Sequence, residues 1–323
     1  MTEIENNELE IRRLVAESLY APVNARLDYT RQNKIDFAHY TASSTAFDII
    51  KNRCFWLRNS RLMNDSSEMS LGLQTVRLNF AESGQAGGAF WQAMRNIDPY
   101  FKDKVDDIFK QRANQVFSQT YIGCLSEYQP SKIGGDLGRL SMWRAYGYPN
   151  GVALIFDGSA INSENMTLDV GSYPVFYPDY GAALPELARS IMALADNVHK
   201  LSDYDSQLIA KVITDFMIHL AIGIKDSNFH EEAEWRIVYR DGVFSNQISK
   251  KEPQVIAGIP QLICSVPLDD SRPLSLKRIL KKIIIGPTEA PELAKDAFVQ
   301  LLSNEGFDDP ELKVVISNIP YRE

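Results

Sequence analysis

The chain has 323 residues, 45% of them hydrophobic and 24% charged, with a formal net charge of −8. This balance excludes wholesale disorder, and the acidic global field gives nucleic acid no general attraction, leaving only a local basic groove open. The three cysteines, Cys54, Cys124 and Cys264, are far apart and set among apolar residues, which fits reduced, buried thiols and no zinc knuckle or redox pair.

Glu3, Glu5, Glu8 and Glu10 are the opposite of a secretory leader, and no apolar run reaches membrane-spanning length. The expected location is the cytoplasm, with no membrane partner. Residues 5–20 have the period of an amphipathic helix, with Ile11, Leu14, Val15 and Leu19 on one face and Glu8–Arg12 as a supporting pair. Pro22 is expected to stop it. The apolar face is expected to dock on the main body or on a second subunit, which keeps a homo-oligomer open. The division predicted is an N-terminal helical segment, 1–33, and a single α+β domain, 34–323, with helical insertions near 66–118 and 184–225.

The body begins with a strand at Ile35–Tyr40, followed by a helix to Asn52 capped by Ser43 or Ser44, and a strand at Cys54–Leu57. Asp65 and Glu68 have capping-box spacing, so a helix is expected from Ser66. Gly84–Gly88 reads as a flexible break, and 89–118 as helix punctuated by Pro99. A strand at Gln119–Ser126 leads to a glycine-rich loop, 127–138, expected to be mobile. Ser141–Tyr146 is one or two helical turns, Val152–Phe156 a buried strand, and Leu168–Tyr177 extended. Two helices over 184–225 split near Ser202–Asp203. Strands follow at Trp235–Arg240, Gln261–Val266, Lys282–Ile285 and Lys313–Ile316, with an amphipathic helix at 288–303. The unequal spacers exclude regular βαβ alternation and favour α+β.

No P-loop, Gly-x-Gly-x-x-Gly, Gly-x-Ser-x-Gly or His-Glu-x-x-His motif is present. His230 and Glu234 have the spacing of two metal ligands on a helix, but the strand pattern directly after them weakens that reading. Three segments carry chemistry instead. His39 and Thr41 end a strand and can meet a hydroxyl-rich ligand; the plainer reading is a histidine satisfied at the end of a core strand. Trp143 and Tyr146 share a helical face suited to stacking on a flat ring, or to packing beneath the next strand. His230-Glu231-Glu232-Ala233-Glu234-Trp235-Arg236 crowds carboxylates before a strand, and alternation puts Glu234 and Arg236 on one side. Glu234 at the mouth of that strand can stabilise an oxocarbenium-like centre, while Glu231 and Glu232 read as a solvated turn.

Taken in order, His39-Tyr40-Thr41, Leu62-Met63-Asn64-Asp65-Ser66-Ser67-Glu68, Ser141 to Gly147 with Gly151 to Leu154, and Glu232 to Arg236 resemble a bacterial family known as domain of unknown function 2971. Ile283 to Pro287 and Ser317 to Arg322 are similar to its tail. More distantly, the order of an early His, a central Tyr and a late Glu is similar to the His–Tyr–Glu pattern of ADP-ribosyltransferases, including DNA-modifying toxins. That resemblance implies NAD bound in a cleft between two small mixed or antiparallel sheets. It implies His39 on the adenosine ribose, Tyr146 against nicotinamide and Glu234 at the nicotinamide ribose. It implies Arg58, Arg61 or Arg144 on the pyrophosphate, Asn64 and Asp65 fixing the loop beneath it, and Thr41, Trp143 and Arg236 as further cofactor-binding residues. In such enzymes a glycine commonly follows the histidine; here Tyr40 does.

The function expected is an ADP-ribosyltransferase-like enzyme with a protein or nucleic-acid target, as an effector in phage defence or a toxin system. The alternative is a non-catalytic nucleotide- or protein-binding sensor. The third reading is a metal-dependent nuclease using Asp157 and Glu234, with the basic run Arg272, Lys277, Arg278, Lys281 and Lys282 on phosphates or, more plainly, as a solvated lead-in to a strand.

Overall fold

The structure is a computed structural model that describes residues 2–62, 68–129, 137–147, 150–161, 170–179, 181–241, 250–256, 258–271, 274–317 and 319. The chain divides into two compact units. One comprises Met1–Asp28, Ser60–Gln119 and Pro174–His230; the other comprises Tyr29–Asn59, Thr120–Tyr173 and Glu231–Glu323. The N-terminal segment up to Asp28 and most of both stretches read as insertions fall together in the first unit.

The first unit is helical. Helix Glu3–Leu19 opens on a capping box in which the Thr2 hydroxyl accepts from the Glu5 N–H and the Glu5 carboxylate answers to the Thr2 N–H. It buries Ile11, Val15 and Leu19, the face its period indicated. Pro22 does not end the helical run. It lies in the first turn of a second helix, Ala21–Gln32, where a missing N–H costs no hydrogen bond. Helices Glu68–Asn79, Gln85–Arg95, Phe101–Gln119, Pro185–Asp196 and Ser206–Ile222 complete the layer. The expected break at Gly84–Gly88 is instead the start of a helix. A Cβ on Gly87 would stand 2.3 Å from the Ala81 carbonyl oxygen, so this glycine serves close packing. Ser206–Ile222 is buried on nearly every side, and its Asp215 receives Arg12 at 2.7 Å and Arg112 at 2.8 Å.

The second unit holds a mixed, open sheet of ten strands: β1 Asp36–Ala42, β2 Cys54–Asn59, β3 Thr120–Tyr128, β4 Gly151–Phe156, β5 Gly171–Pro174, β6 Glu234–Arg240, β7 Lys250–Ile256, β8 Ile259–Pro267, β9 Leu280–Ile285 and β10 Val314–Ile316. Its order is β10-β9-β4-β1-β3-β2-β8-β7, with β6 on β3 and β5 on β6. β9 and β10 are parallel, and the other pairs with a described register are antiparallel. This is an α+β fold, built on one connected sheet where separate small sheets were expected.

The sheet forks at β3. β6 follows one edge of β3 from Thr120 to Ser126. The other edge is shared: β1 pairs with 126–128 and β2 with 121–122. β7 was not foreseen, because Pro253 interrupts its pattern; as the terminal strand it can carry a proline without losing a ladder bond on both sides. The helix Ser43–Asn52 forms as expected, yet its N-cap is Ala42, and the Ser43 hydroxyl donates to the Asn150 carbonyl at 2.8 Å instead of capping. The capping box at Asp65 and most of the loop 127–138 lie outside the described residues. Among the described residues no helix is long and apolar enough to cross a membrane.

Candidate functional site

Paired residues on neighbouring strands project to the same face of a sheet, so register decides which side chains can meet. Glu234 pairs with Ser126, Ser126 with Ala38, and Ala38 with Ile155. Arg236 pairs with Cys124, two residues from Ser126, and shares that face. Arg58 pairs with Ile122 and shares it as well. Tyr146 packs, half-buried, on the cluster that holds Ala38, Tyr40, Trp143 and Ile155. Ala38 is two strands from Glu234, about 10 Å at the usual strand spacing. Glu234, Arg236, Tyr146 and Arg58 are therefore presented to one side of the sheet.

Glu234 is held from behind. Ala233 sits at φ 42, a left-handed conformation that costs a residue with a Cβ about 1 kcal/mol or more. Three hydrogen bonds keep the chain there. Arg139 donates to the Glu231 carbonyl at 2.6 Å, the Ser126 hydroxyl donates to the Glu232 carbonyl, and the Glu127 N–H donates to the Ala233 carbonyl at 2.9 Å. The second guanidinium nitrogen of Arg139 reaches the Glu127 carbonyl at 2.9 Å, so a single side chain ties β3 to the approach of β6. The Glu234 carboxylate accepts from Arg236 Nε at 2.8 Å and from its Nη2 at 3.4 Å. The Glu234 side chain is 3% exposed and that of Arg236 is 0%. A carboxylate and a guanidinium so placed form a preorganised charge pair at the centre of the sheet.

His39 is a correction. It pairs with Leu154 and projects to the opposite face, together with Thr41. Its ring meets Phe55 edge-on at 4.8 Å between centroids. Its Nδ1 lies 3.0 Å from the Cys124 carbonyl oxygen, where the fork between β1 and β2 leaves the edge of β3 without a strand. The imidazole thus replaces a ladder partner. Burial lowers its pKa, against a smaller opposing effect of the hydrogen bond to Cys124, so the neutral Nδ1–H tautomer fits the site. The same face carries a half-open pocket of about 30 Å³ lined by Phe55, Leu125, Phe156, Ile237 and Val266. That is room for about one water and no dinucleotide.

Trp143 is a second correction. It is 1% exposed, meets Tyr40 edge-on at 4.9 Å, and donates from Nε1 to the Leu137 carbonyl at 3.1 Å. Its ring is enclosed so closely that a Cβ on Gly138, Gly286 or Gly147 would come within 2.7, 2.8 or 2.9 Å of it. No ligand can stack on a ring sealed in this way. Tyr40, in the position after the histidine, turns towards Trp143, and its hydroxyl accepts from the Arg139 N–H at 2.9 Å. Burial raises the Tyr40 pKa.

The remaining candidates are dispersed. Arg144 is exposed, whereas Arg58, on the Glu234 side, donates to the Gln261 side-chain oxygen at 3.3 Å. Arg61 is exposed and belongs to the helical unit. Asn64 and Asp65 lie outside the described residues. The Asp157 carboxylate holds the turn at Ser159, with 2.8 Å to its N–H and 2.7 Å to its hydroxyl. Within the basic run, Lys277 pairs with Asp270 at 3.1 Å and Lys281 with Asp36 at 2.8 Å. Arg139 and Ser126 escaped the sequence reading. Both act on carbonyls about a hundred positions away, and no local pattern announces such a partner.

Comparison with protein families gives a match over residues 142–237 to a family described as "Protein of unknown function (DUF2971)". The resemblance read from the motifs is thereby borne out over this stretch. Tyr146, Glu234 and Arg236 fall within it, and His39 does not. No curated protein and no solved structure matches.

Proposed function

We propose that the sheet unit acts on NAD in the manner of an ADP-ribosyltransferase, with Glu234 as its chemical centre and without a ligand contact from His39. The observation that supports this most is the fixing of Glu234: a strained Ala233 and three hydrogen bonds hold one carboxylate on the face that also carries Tyr146, Arg58 and Arg236. Strain maintained by so many neighbours marks a position where geometry matters more than stability. In this reading the bond between nicotinamide and ribose breaks, and nicotinamide leaves with the electron pair. Glu234 stabilises the oxocarbenium-like ribose, and an acceptor hydroxyl or amine closes on it and gives its proton to solvent. Tyr146 supplies a ring edge or face for the nicotinamide, and Arg58 a fork for the pyrophosphate. A macromolecular acceptor and an effector role in phage defence or a toxin system belong to the same reading.

A second reading rests on a separate observation. The Glu234 carboxylate is already engaged by Arg236 and nearly sealed, which suits a site that binds a nucleotide without turning it over. The test is incubation of the full chain with NAD and candidate protein and DNA acceptors, following nicotinamide release. Release that Glu234→Gln abolishes and His39→Gln spares supports the enzyme. A saturable melting shift with NAD and no release supports the sensor. Neither release nor shift overturns both.

A further inference from the structure

The helical unit contains a groove that the sheet chemistry does not use. Helices Glu3–Leu19 and Pro185–Asp196 border it, with the turn into Ala21–Gln32 and the short helix Val198–Leu201. Its volume is about 530 Å³, inside the usual range for small-molecule sites. Ser18 and Ser190 line it from two different helices. They are 6% and 4% exposed, and neither hydroxyl has a hydrogen-bond partner among the described residues. A hydroxyl inside a helix ordinarily turns back to the carbonyl four residues earlier, as Thr214 does here onto Ala210 at 2.8 Å. These two instead remain available to the groove, where their oxygens keep contact with solvent that a ligand hydroxyl could replace.

The charges along the rim point to the kind of molecule. Glu17 is engaged by Arg13, and Glu186 by Arg189 at 3.6 Å. Lys200 lines the groove and makes no ion pair among the described residues. The lining charges balance, Glu17 and Glu186 against Arg189 and Lys200, and Lys200 is the lining charge left without an ion pair among the described residues. Leu14 and Pro22, both half-buried, offer apolar surface beside it. A ligand that fits carries an anion for Lys200, hydroxyl groups for the two serines, and an apolar part.

We propose that this groove binds a nucleoside monophosphate, with its phosphate at Lys200, its ribose hydroxyls at Ser18 and Ser190, and its base on the apolar side chains. The site is separate from Glu234 and does not depend on the reaction proposed there.

Isothermal titration of the full chain with AMP, adenosine and inorganic phosphate tests each part of the claim. AMP is expected to bind saturably, adenosine about tenfold more weakly, and phosphate without saturation. Lys200→Gln should bring AMP to within about twofold of adenosine, the loss of one charge-assisted contact. Ser18→Ala with Ser190→Ala should weaken AMP and adenosine alike by severalfold. Alanine is the better helix former, so circular dichroism should show both variants folded. The proposal is overturned if no probe binds up to the order of 1 mM. It is overturned equally if AMP binding ignores Lys200 and both serines, or if Glu234→Gln abolishes it and so assigns it to the sheet unit.

Discussion

Removal of Arg236 separates a structural charge pair from a functional one. Arg236 is fully buried and holds the Glu234 carboxylate at 2.8 and 3.4 Å. Arg236→Met keeps most of the side-chain volume but leaves that carboxylate, 3% exposed, without its guanidinium. Breaking a buried pair from one side costs about 3–5 kcal/mol, because the remaining charge keeps its desolvation penalty. Glu234→Gln keeps an acceptor oxygen for Arg236 but leaves its buried guanidinium without a counter-charge, and should also cost about 3–5 kcal/mol. The double variant Glu234→Gln with Arg236→Met removes both charges of the pair. It should be more stable than the sum of the two single losses implies, with a coupling of about 2 kcal/mol or more. Urea unfolding followed by far-UV circular dichroism at pH 7 measures all four corners of the cycle. A cost for Arg236→Met below about 1 kcal/mol, or strictly additive losses, would refute the claim that this pair is desolvated and mutually dependent.

Three further outcomes follow from the geometry. Gly138 stands at φ 80, and a Cβ there would lie 2.7 Å from the Trp143 ring. Gly138→Ala should then cost about 2–4 kcal/mol, and about half of that should vanish in a Trp143→Leu background, as read by denaturant midpoints; an equal cost in both backgrounds would assign the effect to φ alone. The folded pKa of His39 lies below its ordinary 6.5, chiefly through burial. The unfolded chain therefore binds the proton more readily, and the stability tied to neutral His39 is complete above about 6.5 and is lost as pH falls from there through the folded value. His39→Gln should flatten the fall in stability below pH 6.5, and an unchanged slope would contradict an imidazole held neutral in its half-buried site. Asp215, 4% exposed between Arg12 and Arg112, should on conversion to Asn destabilise the helical unit by about 3 kcal/mol, seen as faster amide exchange over residues 206–222; exchange unaltered there would remove its role as a hub.

Much of the fold was legible because its signals are local. The period of Ile11, Val15 and Leu19 marked a helix, and the apolar run Val152–Phe156 marked a strand buried on both faces. Pro22 was misread because a proline looks the same at the end of one helix and in the first turn of the next. Gly87 was misread because a glycine that admits a neighbouring backbone has the same letter as one that bends a loop. Of the candidate site, Glu234 and Arg236 were legible as a pair, since strand alternation alone puts residues two apart on one side. The isolation of His39 from them was not.

The sequence by itself determined the α+β class, most of the elements and the placing of a carboxylate at the mouth of β6, since these rest on spacing within one segment. Tertiary structure alone decided which face each strand presents. Pairing Ala38 with Ser126 sends Ala38 and Glu234 to one side and His39 to the other, and a shift of one residue in that pairing would have reversed it. Register between strands separated by some ninety residues is set by the packing of the whole sheet, so no stretch of the chain carries it alone.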